Sequence, residues 1–476
     1  MTDTAQPAPP VARKQPVERR HHGDLFIDDY EWLRDKESPE VLAHLEAENA
    51  YTDAVTADQA PLREAIFAEI KGRTKEADLS VPRREGQWWY YSRTVEGGQH
   101  PIFCRVRAAT TGDERADWTP PRLPDDGGPL PGEQVLLDAN ADSQRHDFYA
   151  LGGFDIAHDG SLLAWLTDTT GDERFALHVR DLTTGADLVD EITGLGYGVE
   201  FLPGDREVMY TVVDDSWRPH EIRIHRIGDD PARDRVVFRE DDPEMWLDAT
   251  ISDDRRFIVI SVGNSELSEV HPLPLMSGTG LPLSDRILVL PRRARTLYDV
   301  VPIVAQGRSK LAILHHDGAR NGELVLVDAG HSRLVGSTAE RIADLDPEVV
   351  IAASETERLL DVAHAGRHLV IESMRDGLPT VSVRPLDDLA TELRPAIDEE
   401  LVAVSSIDQE WGAPVLRLEA DSWVRPTRIL EVHLDDLAAG AAPVLRRETP
   451  VLGGYDPGDY RAERHWATAR DGVRVP

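Results

Sequence analysis

The chain has 476 residues, one cysteine, and a formal charge of −35 from 52 Lys and Arg against 87 Asp and Glu. A single cysteine excludes an internal disulfide framework. The acidity excludes binding to a phosphate backbone, which needs clustered Lys and Arg, and no stretch reaches the ~18 apolar residues of a membrane helix. No apolar signal segment is visible in the first ten residues. The expectation is a soluble, cytoplasmic protein with no nucleic-acid or membrane partner. The length suits two or three domains, or one large β architecture with an appendage.

The first twenty residues are rich in Pro and charge and read as an extended arm. Ser38 suits an N-cap, Pro39 the first helical position and Glu40 the positive end of the dipole. Val41, Leu42 and Leu45 follow at helical spacing. A second helix is expected from Pro61, with Leu62, Ile66 and Ile70 at i, i+4, i+8, Phe67 beside them, and Gly72 as its stop. These helices form an N-terminal region over residues 1–75.

After Glu76 the texture changes to short β-rich runs between turns. Trp88–Ser92 precedes Ile102–Val106, Leu162–Leu166 precedes Phe175–Val179, and Val208–Val213 precedes Ile222–Ile227. Phe257–Val262, Leu311–Leu314 with Leu324–Val327, His368–Ile371 with Thr380–Val383, and Val415–Leu418 with Ile429–Leu434 continue the series. The turns at 160, 204, 254, 307, 366 and 412 are 44, 50, 53, 59 and 46 residues apart. Seven such units at roughly 40–50 residues per unit predict an all-β, seven-bladed β-propeller over residues 76–440. The Pro/Asp/Gly-rich stretch Asp117 to Gly132 reads as a surface insertion in the first unit.

A propeller is a scaffold, so chemistry must be sought separately. The chain has no Gly-x-Ser-x-Gly elbow, phosphate loop, His-Glu-x-x-His or dinucleotide fingerprint. His364 and His368 flank a predicted turn at Gly366 and are not expected to share a metal. His21-His22 and His315-His316 read as surface pairs, and Cys104 as a packed residue of a β run. The tryptophans at 88, 89, 165, 217, 246, 411, 423 and 466 read as blade packing. The acidic runs Asp214-Asp215, Asp229-Asp230, Glu240-Asp241-Asp242, Asp253-Asp254 and Asp435-Asp436 are dispersed at turns. Dispersal favours general solubility over a field that draws in cations. No catalytic residue, metal ligand or cofactor site is assigned, and substrate-binding residues stay unassigned.

Several segments resemble the prolyl oligopeptidase family of serine peptidases, most closely its oligopeptidase B (protease II) branch. They are Asp29-Tyr30-Glu31-Trp32-Leu33-Arg34-Asp35, the run Ser38–Leu42, Trp89-Tyr90-Tyr91-Ser92-Arg93, and Asp168-Thr169-Thr170-Gly171-Asp172-Glu173-Arg174-Phe175. Near the end, Val451-Leu452-Gly453-Gly454-Tyr455-Asp456-Pro457 and Glu463–Gly472 are similar to the linker into the family's hydrolase domain. The resemblance makes residues 441–476 that linker and the first residues of an α/β-hydrolase domain, which is otherwise missing. It implies a two-domain enzyme in which the propeller restricts access to short peptides, cleaved after Lys or Arg. The Ser/Asp/His triad of the family would lie downstream of Pro476, so this part is expected to be inactive alone. Its partners would be short basic peptides and the hydrolase domain, with no cofactor. The other reading is a stand-alone, catalytically inactive propeller acting as a binding module, or a truncated pseudoenzyme.

Overall fold

A computed structural model describes residues 7–275, 287–335 and 338–476. The chain divides into two compact units, Met1–Lys75 with Val451–Tyr455, and Glu76–Pro450 with Asp456–Pro476. No helix among the described residues is long and apolar enough to cross a membrane.

The smaller unit holds an antiparallel hairpin, Val17–His21 with Asp24–Asp28, and two helices, α1 (Pro39–Val55) and α2 (Ala60–Arg73). The expected extended arm thus contains a hairpin, turning at His22-Gly23, where both residues have positive φ. Pro39 opens α1 as the sequence suggests, but the Ser38 side chain makes no capping bond. The backbone at Thr74 pairs with Val451, and Leu452 N–H donates to Arg73 O at 2.9 Å. Leu62, Ile66, Phe67 and Ile70 of α2 are exposed.

The larger unit is an all-β propeller, but among the described residues it has five separate blades, not the seven expected. The five have three or four strands each, one further sheet has seven strands, and Ala467–Thr468 pairs with Arg474–Val475 in a small two-stranded ladder. In chain order, sheet I holds Arg83–Glu85, Trp88–Arg93, Ile102–Arg107 and Gln134–Asp138. Sheet II is the seven-stranded one, from Ala150–Ile156 to Arg235–Arg239. Sheets III to VI start at Trp246–Ile251, Tyr298–Ala305, Glu357–Ala365 and Ala403–Ile407. The difference has a physical cause in one long strand. Asp187–Phe201 pairs through Asp187–Leu195 with Phe175–Asp181, and through Leu195–Phe201 with Glu207–Val213. The ladder therefore runs unbroken from the second predicted unit into the third.

Packing between sheets is apolar almost all the way round. Leu136 and Leu137 of sheet I meet Leu163 and Trp165 of sheet II. Ile222 and Ile224 of sheet II meet Ile258 and Ile260 of sheet III, and equivalent clusters join III to IV, IV to V and V to VI. Among the described residues no such cluster joins VI to I. That seam is polar instead. Arg417 donates to Val81 O at 3.2 Å and Pro82 O at 2.9 Å while holding Glu431, and Arg115 grips Asp436 with both nitrogens. Arg447 also pairs with Asp78. A buried guanidinium needs such complete pairing, because an uncompensated buried charge costs several kcal/mol.

Candidate functional site

The blades of a propeller surround a central channel, and two cavities of different chemistry lie at opposite ends of the first strands. One lies where these strands begin, has a volume of about 490 Å³, and is lined by sheets II, III and IV. Its aromatic wall is Tyr197, Trp217 and Trp246, which stay 58%, 42% and 61% exposed although each belongs to a strand or tight turn. Large apolar surface left exposed in a concavity marks a binding site more often than a packing defect.

Local sequence explains how each ring gets there. Tyr197 sits in Gly194-Leu195-Gly196-Tyr197-Gly198, where the register slips between Leu195 and Val199. Gly194 and Gly198 have positive φ, so the strand bulges and re-aims the tyrosine. Its ring packs at 4.6 Å from that of Phe175. A Cβ on Gly196 would stand 2.7 Å from Thr211 Oγ1, so only glycine leaves the wall this close. Trp246 opens its strand opposite Gly263, which offers no side chain to cover the indole.

Trp217 takes a left-handed φ of 61° in a turn built by Asp214, whose Oδ1 accepts from Ser216 N–H at 2.8 Å and Arg218 N–H at 3.1 Å. The indole N–H bonds to Asp172 O, and the Arg174 guanidinium lies 4.8 Å over the ring. Asp172, Glu173 and Arg174 belong to a loop ordered by buried Asp168. Its Oδ1 accepts from Thr170 N–H at 2.8 Å and Gly171 N–H at 2.9 Å, and its Oδ2 from Glu173 N–H at 2.8 Å. Burial opposes ionisation of Asp168, yet these three donors hold its carboxyl below the usual range.

Three carboxylates, Glu173, Asp248 and Asp299, join the aromatic rings in this lining. Among the described residues none of the three has an ion-pair partner. Rings with negative faces beside unpaired carboxylates suit a cationic or amphipathic side chain. Arg174 over Trp217 already shows one such pairing within the chain.

The second cavity, of about 400 Å³, lies where the first strands end. It is lined by Glu85, Asp155, Glu200, Asp253, Asp254 and Glu410 with Arg83, His158 and Arg255. Burial pushes the Asp155 carboxyl up to about 6 and the Glu200 carboxyl up to about 7, against the backbone N–H each accepts.

His364 and His368 stand on the two arms of a hairpin turning at Gly366, with His364 Nε2 facing Gly366 O at 2.9 Å. His315 is buried beside Glu323, at 3.4 Å, and is not a surface residue; burial pushes its imidazole down. Cys104 is buried, and burial raises its thiol to about 12, so it is a poor nucleophile. Among the described residues no cluster of His, Cys, Asp or Glu is arranged to hold a metal. Reading all the tryptophans as blade packing needs correction. Trp89 and Trp165 are core, but Trp217, Trp246, Trp411, Trp423 and Trp466 are exposed. The signal available for the cavity was the glycine cluster around Tyr197, which no strand needs for packing.

Comparison with known proteins adds the family. Residues 9–441 match the model described as "Prolyl oligopeptidase, N-terminal beta-propeller domain". The chain is 30% identical over 471 residues to "Protease 2" of Moraxella lacunata, covering 98% of this chain and 62% of that protein. It is 31% identical over 473 residues to "Dipeptidyl aminopeptidase BI" of Pseudoxanthomonas mexicana, covering 98% and 61%. Among solved structures, oligopeptidase B from Leishmania major superposes with a TM-score of 0.82 at 25% identity, covering 98% of this chain and 64% of the other. Oligopeptidase B from Trypanosoma brucei with covalently bound antipain gives 0.82 at 26% identity with the same coverage. The chain thus spans less than two thirds of the length of these relatives. With the family model matching most of its length over a propeller of this construction, the chain belongs to the prolyl oligopeptidase family of peptidases, and corresponds to its N-terminal β-propeller.

Proposed function

We propose that the chain is the substrate-gating part of a serine oligopeptidase that cleaves short peptides after Lys or Arg once a hydrolase domain is joined to it. The observation carrying the gating role is the aromatic cavity, whose carboxylates make no ion pair among the described residues, in a chain similar to Protease 2 and to oligopeptidase B; the preference for Lys or Arg comes from the resemblance to the oligopeptidase B branch. In the complete enzyme a serine attacks the peptide carbonyl, a histidine takes and returns the proton, and an aspartate orients the histidine. All three come from the hydrolase domain. The propeller contributes two things. Its channel excludes folded proteins by size, and its aromatic cavity holds a peptide side chain away from the scissile bond. Trp246 and Tyr197 supply stacking area, and Asp248, Asp299 and Glu173 supply charge for a basic side chain.

The test uses a short Arg-containing peptide carrying a photoactivatable benzophenone, irradiated with the purified full chain. Cross-links are expected on the strands bearing Tyr197 and Trp246, with no hydrolysis of an Arg-Arg fluorogenic peptide by the same sample. Cross-links scattered over the surface would overturn the binding role. Turnover abolished by a serine-directed inhibitor would overturn the assignment of the triad to another domain.

A further inference from the structure

Sheet V carries a cluster of arginines at the end of the ring where the first strands begin. Its first strand opens with Glu357, whose register partner is Arg375, the last residue of the middle strand. Arg375 Nε lies 2.6 Å from Glu357 Oε1, and its Nη2 lies 3.2 Å from Glu392 Oε1. Beyond the third strand, Leu378–Pro385, the chain doubles back, and Leu393 exchanges two backbone bonds with Val383, at 2.8 and 2.9 Å. Val383 and Leu393 pack into the apolar layer between sheets V and VI. Side chains alternate along paired backbone, so Arg384, Glu392 and Arg394 turn the other way, toward Glu357 and Arg375. Arg384 Nη2 donates to Glu392 Oε2 at 3.3 Å. Arg394 Nη2 pairs with Glu392 and stands 4.0 Å from Glu357 Oε1.

The balance is unusual for a chain of net charge −35. Three guanidinium groups share two carboxylates. Elsewhere the ratio is reversed, as where Arg292 alone serves Glu240, Asp242 and Glu269. Glu357 is already committed, because it also accepts from Ser373 Oγ at 2.7 Å. Burial opposes its ionisation, yet Arg375 beside it holds the carboxyl below the usual range. Donors are left over. Arg375 Nε, Arg384 Nε and Arg394 Nη2 are buried atoms with no hydrogen-bond partner among the described residues; the first and last touch carboxylates, but out of line.

We propose that this cluster is an oxyanion-binding site that takes one carboxylate or phosphate group. One added anion makes the charges equal and gives the spare N–H groups an acceptor. Guanidinium forks match the oxygens of both groups, and such charge-assisted bonds are roughly twice as strong as neutral ones. Repulsion from the distant acids of the chain is screened beyond about 8–10 Å at physiological salt, so the local excess decides. The side chains of Arg375 and Arg394 stay 38% and 34% exposed, which gives a ligand access, while Arg384 at 11% lies deeper. A peptide's C-terminal carboxylate and free phosphate share this chemistry. The site lies on sheet V, outside the aromatic cavity of sheets II to IV, and does not rest on the peptide-binding reading of that cavity.

Thermal denaturation of the full chain in phosphate-free buffer tests it. Inorganic phosphate at about 20 mM is expected to raise Tm by about 1–2 °C above NaCl of equal ionic strength, as a millimolar site does by mass action. A short peptide of Ala and Ser, with a free or an amidated C-terminus, separates the sources. A rise with the free form and not the amidated one assigns the site to peptide ends, and a rise with phosphate alone assigns it to the free ion. Arg394→Gln removes the third charge and is expected to abolish the rise, whereas Arg394→Lys keeps the charge and should retain part of it. If Arg394→Gln fails to fold, Arg394→Met, which keeps the packing of the stem, takes its place. No rise above the NaCl control with either phosphate or the free-ended peptide would overturn the proposal. So would an equal rise with both peptide forms and none with phosphate, or an undiminished rise in a folded neutral variant.

Discussion

The two ends of the channel are built from the same strands yet differ in what their acids do. Where the first strands end, Asp155, Glu200, Asp253 and Glu410 each take a backbone N–H, so the acids are committed to holding the ring. Where the strands begin, Asp248 and Asp299 have no ion-pair partner among the described residues and stand among exposed rings. Charge alone therefore does not identify a binding end. What does is charge left unspent beside aromatic surface that the fold leaves uncovered.

The contrast is most easily broken at Trp246. Trp246→Ala should weaken binding of a short Arg-containing peptide by roughly tenfold or more, as truncation of an aromatic anchor costs about 2 kcal/mol. Glu200→Gln, at the other end, should leave that affinity unchanged; calorimetric titration of both variants checks the pair. Next in size, Asp248→Asn combined with Asp299→Asn should lower affinity for a basic peptide about threefold to tenfold. The same variant should flatten the salt dependence of binding and leave a neutral peptide of equal length unaffected. A smaller effect is expected from Gly196→Ala, whose Cβ would stand 2.7 Å from Thr211 Oγ1 and shift the Tyr197 wall. Affinity should drop a few-fold with the melting temperature nearly kept, which differential scanning fluorimetry beside the titration would show. The mildest readout is thermal. Glu200→Gln should raise Tm at pH 8 by about 1–2 °C, because burial raises its carboxyl to about 7 and the shift per kcal/mol shrinks as chain length grows. It should change Tm little at pH 5, where the wild-type carboxyl is already protonated.

Much of the scaffold was legible. The turns at Gly160, Gly204 and Gly366 and the apolar runs between them mark the middle strands of the sheets, because those strands are buried on both faces and read as continuous hydrophobic stretches. The first strands were not legible. Ala150–Ile156 carries two glycines and an aspartate, and Trp246–Ile251 alternates buried Leu247 with exposed Trp246 and Asp248, since one side faces a channel rather than a core. The same fact hid the candidate site. A tryptophan in a strand looks like packing until its neighbour across the ladder proves to be Gly263. Sheet merging through Asp187–Phe201 was equally invisible, because hydrogen bonding between units leaves no hydrophobic period. The segment Asp168–Phe175, by contrast, was marked by resemblance, and its role is now physical. Asp168 folds the loop that brings Glu173 to the cavity and Arg174 onto Trp217.

The acidic excess also reads differently at residue level. Part of it is structural, in turns such as that of Asp214, and part forms the bridges of the ring. Three more, Asp248, Asp299 and Glu173, line the aromatic cavity and make no ion pair among the described residues.

The most direct test of the peptide-binding account is an isothermal titration of the purified full chain with two peptides of equal length, one carrying Arg and one carrying Glu at the same position. The account predicts saturable binding of the Arg peptide, at least tenfold tighter than the Glu peptide and lost in Trp246→Ala. Equal affinity for both peptides, or Arg-peptide binding that survives Trp246→Ala unchanged, would contradict it.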